Sequence, residues 1–187
     1  MKKFKNIILC IAICIINLNI ANAQNAGKYY KDDEIDKYLG TWEWQNGNEK
    51  FTLIITKQKL LFDLVDENFY EDYAVCWLSY TKNGQVIESS MDKLNTKVTT
   101  IRNAHNISGL VGTMMYNKYL SFGYYDKKLD KAGVVHLTML PGKSNEATWE
   151  LAAKIGGDAK LVFVSPGDPI DERDYTLPRK MTLKKIN

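Results

Sequence analysis

Two histidines, three cysteines and two runs of carboxylates are the residues of this 187-residue chain best suited to chemistry. His105 lies in the turn-like stretch Asn103-Ala104-His105-Asn106. His136 alternates away from Val135, Leu137 and Met139, so on a strand it faces either solvent or a polar lumen. The two are far apart in sequence and form no His-x-x-x-His pair of the kind that holds zinc. Cys10, Cys14 and Cys76 show no Cys-x-x-Cys spacing. Cys76 sits in the apolar run 73–80, where a cysteine packs as a small hydrophobe. A nucleophilic role would require a base and an electropositive setting. The carboxylates gather at Asp63, Asp66, Glu67, Glu71 and Asp72, and again at Asp168, Asp171, Glu172 and Asp174. Hard cations take several oxygen ligands, yet neither run has EF-hand spacing, and solvated loop charge is the expected reading. There is no Gly-x-Ser-x-Gly, no phosphate-cradling glycine loop and no dinucleotide fingerprint. The sequence therefore names no catalytic residue, no metal ligand and no cofactor. A hydrolase built from distant carboxylates or from His136 stays open, because such sites are defined by geometry.

Aromatic residues make up 11% of the chain. Trp44, Trp77, Trp149 and the tyrosines fall mainly at strand spacing, which suits a core; the alternative is a platform for a sugar or a flat apolar ligand. No basic run interleaves with these rings, so a nucleic-acid partner is not expected.

The elements that would position these groups begin after residue 23. Lys2, Lys3 and Lys5 precede an apolar run at 7–16, and Ala21-Asn22-Ala23 supplies the small residues read by a signal peptidase, so residues 1–23 are expected to be a secretory signal peptide. The run is about ten residues, short of the roughly 18 of a membrane span. No integral membrane segment is expected after cleavage, and the mature chain is expected to begin at Gln24. The formal charge of +3 is then part of the signal, because residues 1–23 hold three lysines and no acid and the remainder is neutral. Cys10 and Cys14 leave with it. The expected location is the periplasm, the outer envelope or the exterior.

Residues 30–39 carry Ile35, Tyr38 and Leu39 on one face, a short helix that Gly40 ends. From Thr41 the pattern changes to period two. Strands are expected at 41–45, 49–56, 60–65, 73–81, 85–88, 96–102, 110–115, 119–125, 134–140, 147–152, 160–164 and 180–185. Asn46-Gly47-Asn48 and Asn83-Gly84 mark tight hairpins. Closely spaced short strands without a linker predict one all-β domain over 24–187, an antiparallel barrel of about 8–10 strands with a short N-terminal helix. Closure removes the edges that an open sheet of this length would expose. Whether such a barrel is filled by side chains or holds a small ligand is left open by the pattern.

Residues 36–43, with Gly40-Thr41-Trp42 after the helical lead-in, resemble the opening of lipocalins. The resemblance implies that Gly40 and Trp42 form a structural motif in which the tryptophan closes one barrel end beneath an arginine, with Arg179 the candidate. It also implies a barrel that carries a small hydrophobic molecule. The Thr-Asp-Tyr motif of that family is absent, and a tight hairpin replaces its long first loop. The whole layout, including Ala147-Thr148-Trp149-Glu150-Leu151 and the closing Leu177-Pro178-Arg179-Lys180-Met181, is similar to a family of exported bacterial proteins known as a domain of unknown function. The functional expectation is a lipocalin-like module that binds a small apolar molecule or an envelope component. The alternative is a filled barrel that acts through its surface in an envelope complex. Oligomeric state is not legible.

Overall fold

The computed structural model describes residues 27–63, 69–108, 110–115, 118–153 and 175–186. Among the described residues ten strands form one sheet: β1 (Tyr29–Tyr30), β2 (Gly40–Asn46), β3 (Glu49–Phe62), β4 (Phe69–Lys82), β5 (Gln85–Ser89), β6 (Leu110–Met115), β7 (Tyr119–Asp126), β8 (Lys131–Met139), β9 (Glu146–Ala153) and β10 (Lys180–Lys185). Eight of them close a barrel in the circular order β2-β3-β4-β6-β7-β8-β9-β10, every pairing antiparallel. The long β4 uses its outer edge in sections. It pairs with β1 in parallel at Tyr70 and Glu71, with β6 over 74–76 and with β5 over 79–82.

The hairpins follow from local chemistry. Asn83 and Gly84 have φ of 52° and 76°, the pair of positive angles that a two-residue hairpin between Lys82 and Gln85 requires. Asp126 opens the β7–β8 turn by accepting from the N–H groups of Lys128 and Leu129, each at 3.1 Å.

Several expected boundaries move. The strands expected at 49–56 and 60–65 are one continuous strand, β3, whose register against β4 runs unbroken from Glu49 to Phe62. Lys57 and Lys59 sit where the β3–β4 hairpin extends beyond its last pairing with β2, Gly40 with Ile55. The strand expected at 96–102 is instead an irregular stretch leading into a helix, α1 (Ile101–Ser108). Ile101 and Ala104, both buried and at helical spacing, lie against the outer wall. The N-terminal helix is a 3-10 helix over Asp33–Tyr38, with the Asp32 side chain capping the Glu34 N–H at 2.9 Å. The strand expected at 160–164 lies outside the described residues.

Two apolar layers result. The inner one holds Trp42, Phe51, Leu53, Ile55, Cys76, Leu120, Phe122, Val135, Leu137, Trp149 and Leu183. The outer one, between the wall of β3, β4 and β6 and the covering residues, holds Leu60, Tyr73, Val75, Trp77, Val98, Ile101, Ala104 and Val111.

Candidate functional site

The barrel interior is the first place to look for a ligand. Gly40 opens β2 with φ of 118°, a backbone angle that glycine adopts without cost. It turns the chain so that Trp42, two residues on, points inward. Trp42 is fully buried, and its Nε1–H donates to the Tyr38 carbonyl at 2.7 Å, joining the 3-10 helix to the barrel. The cation above its ring is Lys185, with Nζ 5.5 Å from the centroid, not Arg179. Lys185 pairs with Trp42 across β10 and β2, whereas Arg179 precedes the opposite end of β10. Deeper in, Phe51 and Trp149 meet at 5.0 Å between centroids, and Phe51, Leu53, Leu120, Leu137, Trp149 and Leu183 each have 0% exposure. Side chains with no accessible surface face no space as large as a water molecule, so this layer packs as a core.

Cys76 belongs to the same layer. It is fully buried, and burial pushes its thiol well above the usual cysteine range, so it packs as a hydrophobe.

Around the barrel end opposite the 3-10 helix, tyrosines hold carboxylates. Tyr124 donates to Glu88 Oε2 at 2.7 Å and Tyr80 to Glu49 Oε2 at 3.0 Å. Burial raises the Glu88 carboxyl above its ordinary range, whereas Lys82, 2.8 Å away, together with Tyr80, lowers that of Glu49. Asp126, 1% exposed, accepts from Thr176 N at 2.5 Å and Thr176 Oγ1 at 2.9 Å. Its bonds fix the turn and the approach to β10.

His136 is on the outer wall. Its cross-strand neighbours are Ser121 on β7 and Glu150 on β9, and Glu150 pairs in turn with Lys180 at 3.4 Å. A serine, a histidine and a glutamate therefore stand in one row, the residue types of a hydrolytic triad. The bonds of a triad are not made. The imidazole instead packs, tilted, against Tyr119 at 4.4 Å between centroids, and burial lowers its basicity against the pull of Glu150. The row lies on the face of the sheet where backbone N–H groups are spent in the ladder, so it offers no oxyanion donors. His105 lies in α1, and its side chain is outside the described residues.

The first acidic run is divided by the fold. Asp72, 3% exposed, accepts from Tyr29 Oη at 2.7 Å and from the Asp32 N–H at 3.2 Å. Lys57 completes this junction by pairing with Asp36 and lying 3.9 Å from Asp72. Glu71 accepts from Tyr73 Oη at 2.6 Å on the outer face, and Asp63 anchors Arg102. These are bonds that fasten the N-terminal segment and α1. Asp66, Glu67, Asp168, Asp171, Glu172 and Asp174 lie outside the described residues. Among the described residues no three His, Cys, Asp or Glu side chains are grouped to hold a metal ion, and no helix is long and apolar enough to cross a membrane.

The outer layer holds a feature that periodicity did not mark. Trp77 is 1% exposed, and its indole N–H has no hydrogen-bond partner; the buried Oδ1 of Asn103, on α1, has none either. The apolar run 73–80 fits a strand buried on both faces, but the orphaned donor depends on the cover supplied by residues 91–104.

A model of a family of unknown function, DUF6705, matches residues 1–186. No curated protein and no solved structure matches the chain.

Proposed function

Because the chain belongs to DUF6705, a family of unknown function that brings no activity with it, we propose a role from the geometry: an exported barrel with a packed interior that works through its outer surface. The observation that carries this reading is the inner layer, where Trp42, Phe51, Leu53, Leu137 and Trp149 are all fully buried. A carrier of the lipocalin kind needs space between such side chains. Filled, an eight-stranded barrel is a rigid support instead. The missing bonds in the row of Ser121, His136 and Glu150 favour a non-enzymatic role.

Export enters the proposal through Lys2, Lys3, Lys5, the apolar run at 7–16 and Ala21-Asn22-Ala23. The mature protein then begins at Gln24 and resides in the envelope or beyond it. Intact-mass measurement after expression with residues 1–187 tests this part. A mass that begins at Gln24, with or without cyclisation of the glutamine, supports export; retention of residues 1–23 overturns it. Native mass spectrometry of gently purified protein addresses the packed interior. A ligand-free species agrees with it, and a stoichiometric lipophilic adduct released when Leu137 is enlarged to Phe contradicts it.

A further inference from the structure

The outer layer beneath α1 combines three observations that the packed-barrel reading does not use. The first is the orphaned donor. An indole N–H buried without a partner forfeits the hydrogen bond it would make in water, so native proteins rarely keep one without a reason. Trp77 does so at 1% exposure, on the middle of β4. The second is the Asn103 Oδ1, an acceptor of opposite sense, also buried and unpartnered, on the helix that covers the same layer. The third is the nature of the cover. Residues 90–100 are tied at their ends: Ser90 N–H donates to the Leu78 carbonyl at 2.9 Å, and the Leu61 N–H donates to the Thr99 carbonyl at 3.0 Å. Between them the bonds are local, from Lys93 N–H to the Ser90 carbonyl, Leu94 N–H to Met91 and Thr96 N–H to Lys93. From Met91 to Val98 the stretch contributes Met91, Leu94 and Val98 to the outer apolar layer, and among the described residues no backbone bond joins it to the wall. A cover hinged at both ends, with no such bond between them, can lift in the middle without breaking a backbone bond to the wall.

We propose that this layer is a binding site for a small apolar molecule carrying one acceptor oxygen, a carbonyl or an ether. The molecule enters beneath residues 91–98. The layer is closed at rest, with Leu60 and Val75 at 0% exposure and Trp77 at 1%, so lifting of the cover makes the space: the apolar body then packs against Leu60 and Val75 in place of the lifted residues, and its oxygen accepts from Trp77 Nε1. The Asn103 Oδ1 accepts from a hydroxyl or amide where the ligand has one. This site lies outside the barrel wall, and it stands independently of how the interior is filled.

The test uses the mature chain labelled with 15N at tryptophan, and follows the indole N–H signals on titration with cyclohexanone and with cyclohexane. Trp77→Phe assigns the Trp77 signal. The expected result is a downfield shift of the Trp77 indole proton with cyclohexanone and none with cyclohexane. Cyclohexanone should also bind about fivefold more tightly, the weight of one neutral hydrogen bond near 1 kcal/mol. Trp77→Phe should reduce that preference to near unity. The proposal is overturned if the Trp77 signal stays unmoved at the highest concentrations of both probes, or if only the signals of Trp42, Trp44 and Trp149 move. It is also overturned if the Trp77 N–H shows an exchange peak to a bound water that neither probe displaces. If Trp77→Phe does not fold, the single wild-type signal that distinguishes the two probes decides the matter, with assignment by selective relaxation from the neighbouring Val75 methyl groups.

Discussion

Lys185 Nζ lies 5.5 Å from the centroid of the Trp42 ring, and the two residues are cross-strand partners on β10 and β2. The contact joins the first barrel strand to the last at the place where the ring is closed. It has the geometry of a cation over an indole face, and Nζ also donates to the Lys37 carbonyl at 3.4 Å.

Replacement of Lys185 by Met keeps the aliphatic stem and removes the charge. Urea unfolding of Lys185→Met should show a loss of about 0.5–1 kcal/mol, the range for a partly exposed cation–π pair. Lys185→Arg should retain most of the wild-type value. Equal losses in the two variants would show that the charge above Trp42 contributes nothing.

Gly112 on β6 admits no side chain. A Cβ there would stand 2.1 Å from the Ser121 carbonyl oxygen and 2.5 Å from Phe122 Cδ1, and the first is backbone that cannot yield. Gly112→Ala should therefore destabilise the barrel by about 2–3 kcal/mol, at the upper end for overpacking. Gly47→Ala, which meets no atom within 4 Å but has φ of 55°, should cost only the backbone strain, on the order of 1 kcal/mol. Denaturation midpoints in one buffer compare the two.

The difference between these glycines shows what was legible beforehand. Gly47 and Gly84 announce themselves beside asparagine in tight hairpins, and period two placed Leu120, Phe122 and Tyr124 on one face, where they are buried together. Gly112 carries no local signal, because its constraint comes from the approach of β7. For the same reason the sequence points to Arg179 rather than Lys185: the cover over Trp42 is a matter of register between strands at opposite ends of the chain. The sequence of α1 reads as strand and turn, since Ile101 and Ala104 gain a buried face only against the outer wall. The packed state of the interior depends on volumes, which alternation does not encode.

Trp77 and Trp149 make a controlled pair. Both are buried, but the Trp149 N–H donates to the Pro178 carbonyl at 3.2 Å, whereas that of Trp77 has no partner. Trp149→Phe strands an acceptor and should cost more than Trp77→Phe, which removes an unsatisfied donor. The expected gap is about 1–3 kcal/mol after similar losses of volume. Chemical denaturation of both variants measures it, and a gap of the opposite sign would mean that the Trp77 N–H is bonded in solution.

Glu88 should set a pH dependence of stability. Burial raises its carboxyl in the folded state, although the bond from Tyr124 works against the rise. A raised folded value means that the folded chain holds the proton more tightly, so stability falls as pH rises from the unfolded glutamate value, about 4.3, through the folded one, and is then level. Glu88→Gln removes this penalty and can still accept from Tyr124. Its advantage over wild type should therefore be small at pH 4 and grow toward neutrality. Glu49, lowered by Lys82, contributes in the opposite sense, losing stability as pH falls, and it is common to both chains. A constant difference between Glu88→Gln and wild type across that range would remove Glu88 as the cause.

The packed interior is the claim on which the functional reading rests, and xenon tests it most directly, because dry apolar cavities take up the gas while close-packed cores do not. In crystals held under xenon pressure, the wild-type barrel should show no xenon among Trp42, Phe51, Leu53, Leu137 and Trp149. Leu137→Ala, which opens a cavity in that layer, should show one atom there and serves as the positive control. Xenon density between these residues in the wild-type protein would contradict the account and restore a lumen able to hold a ligand.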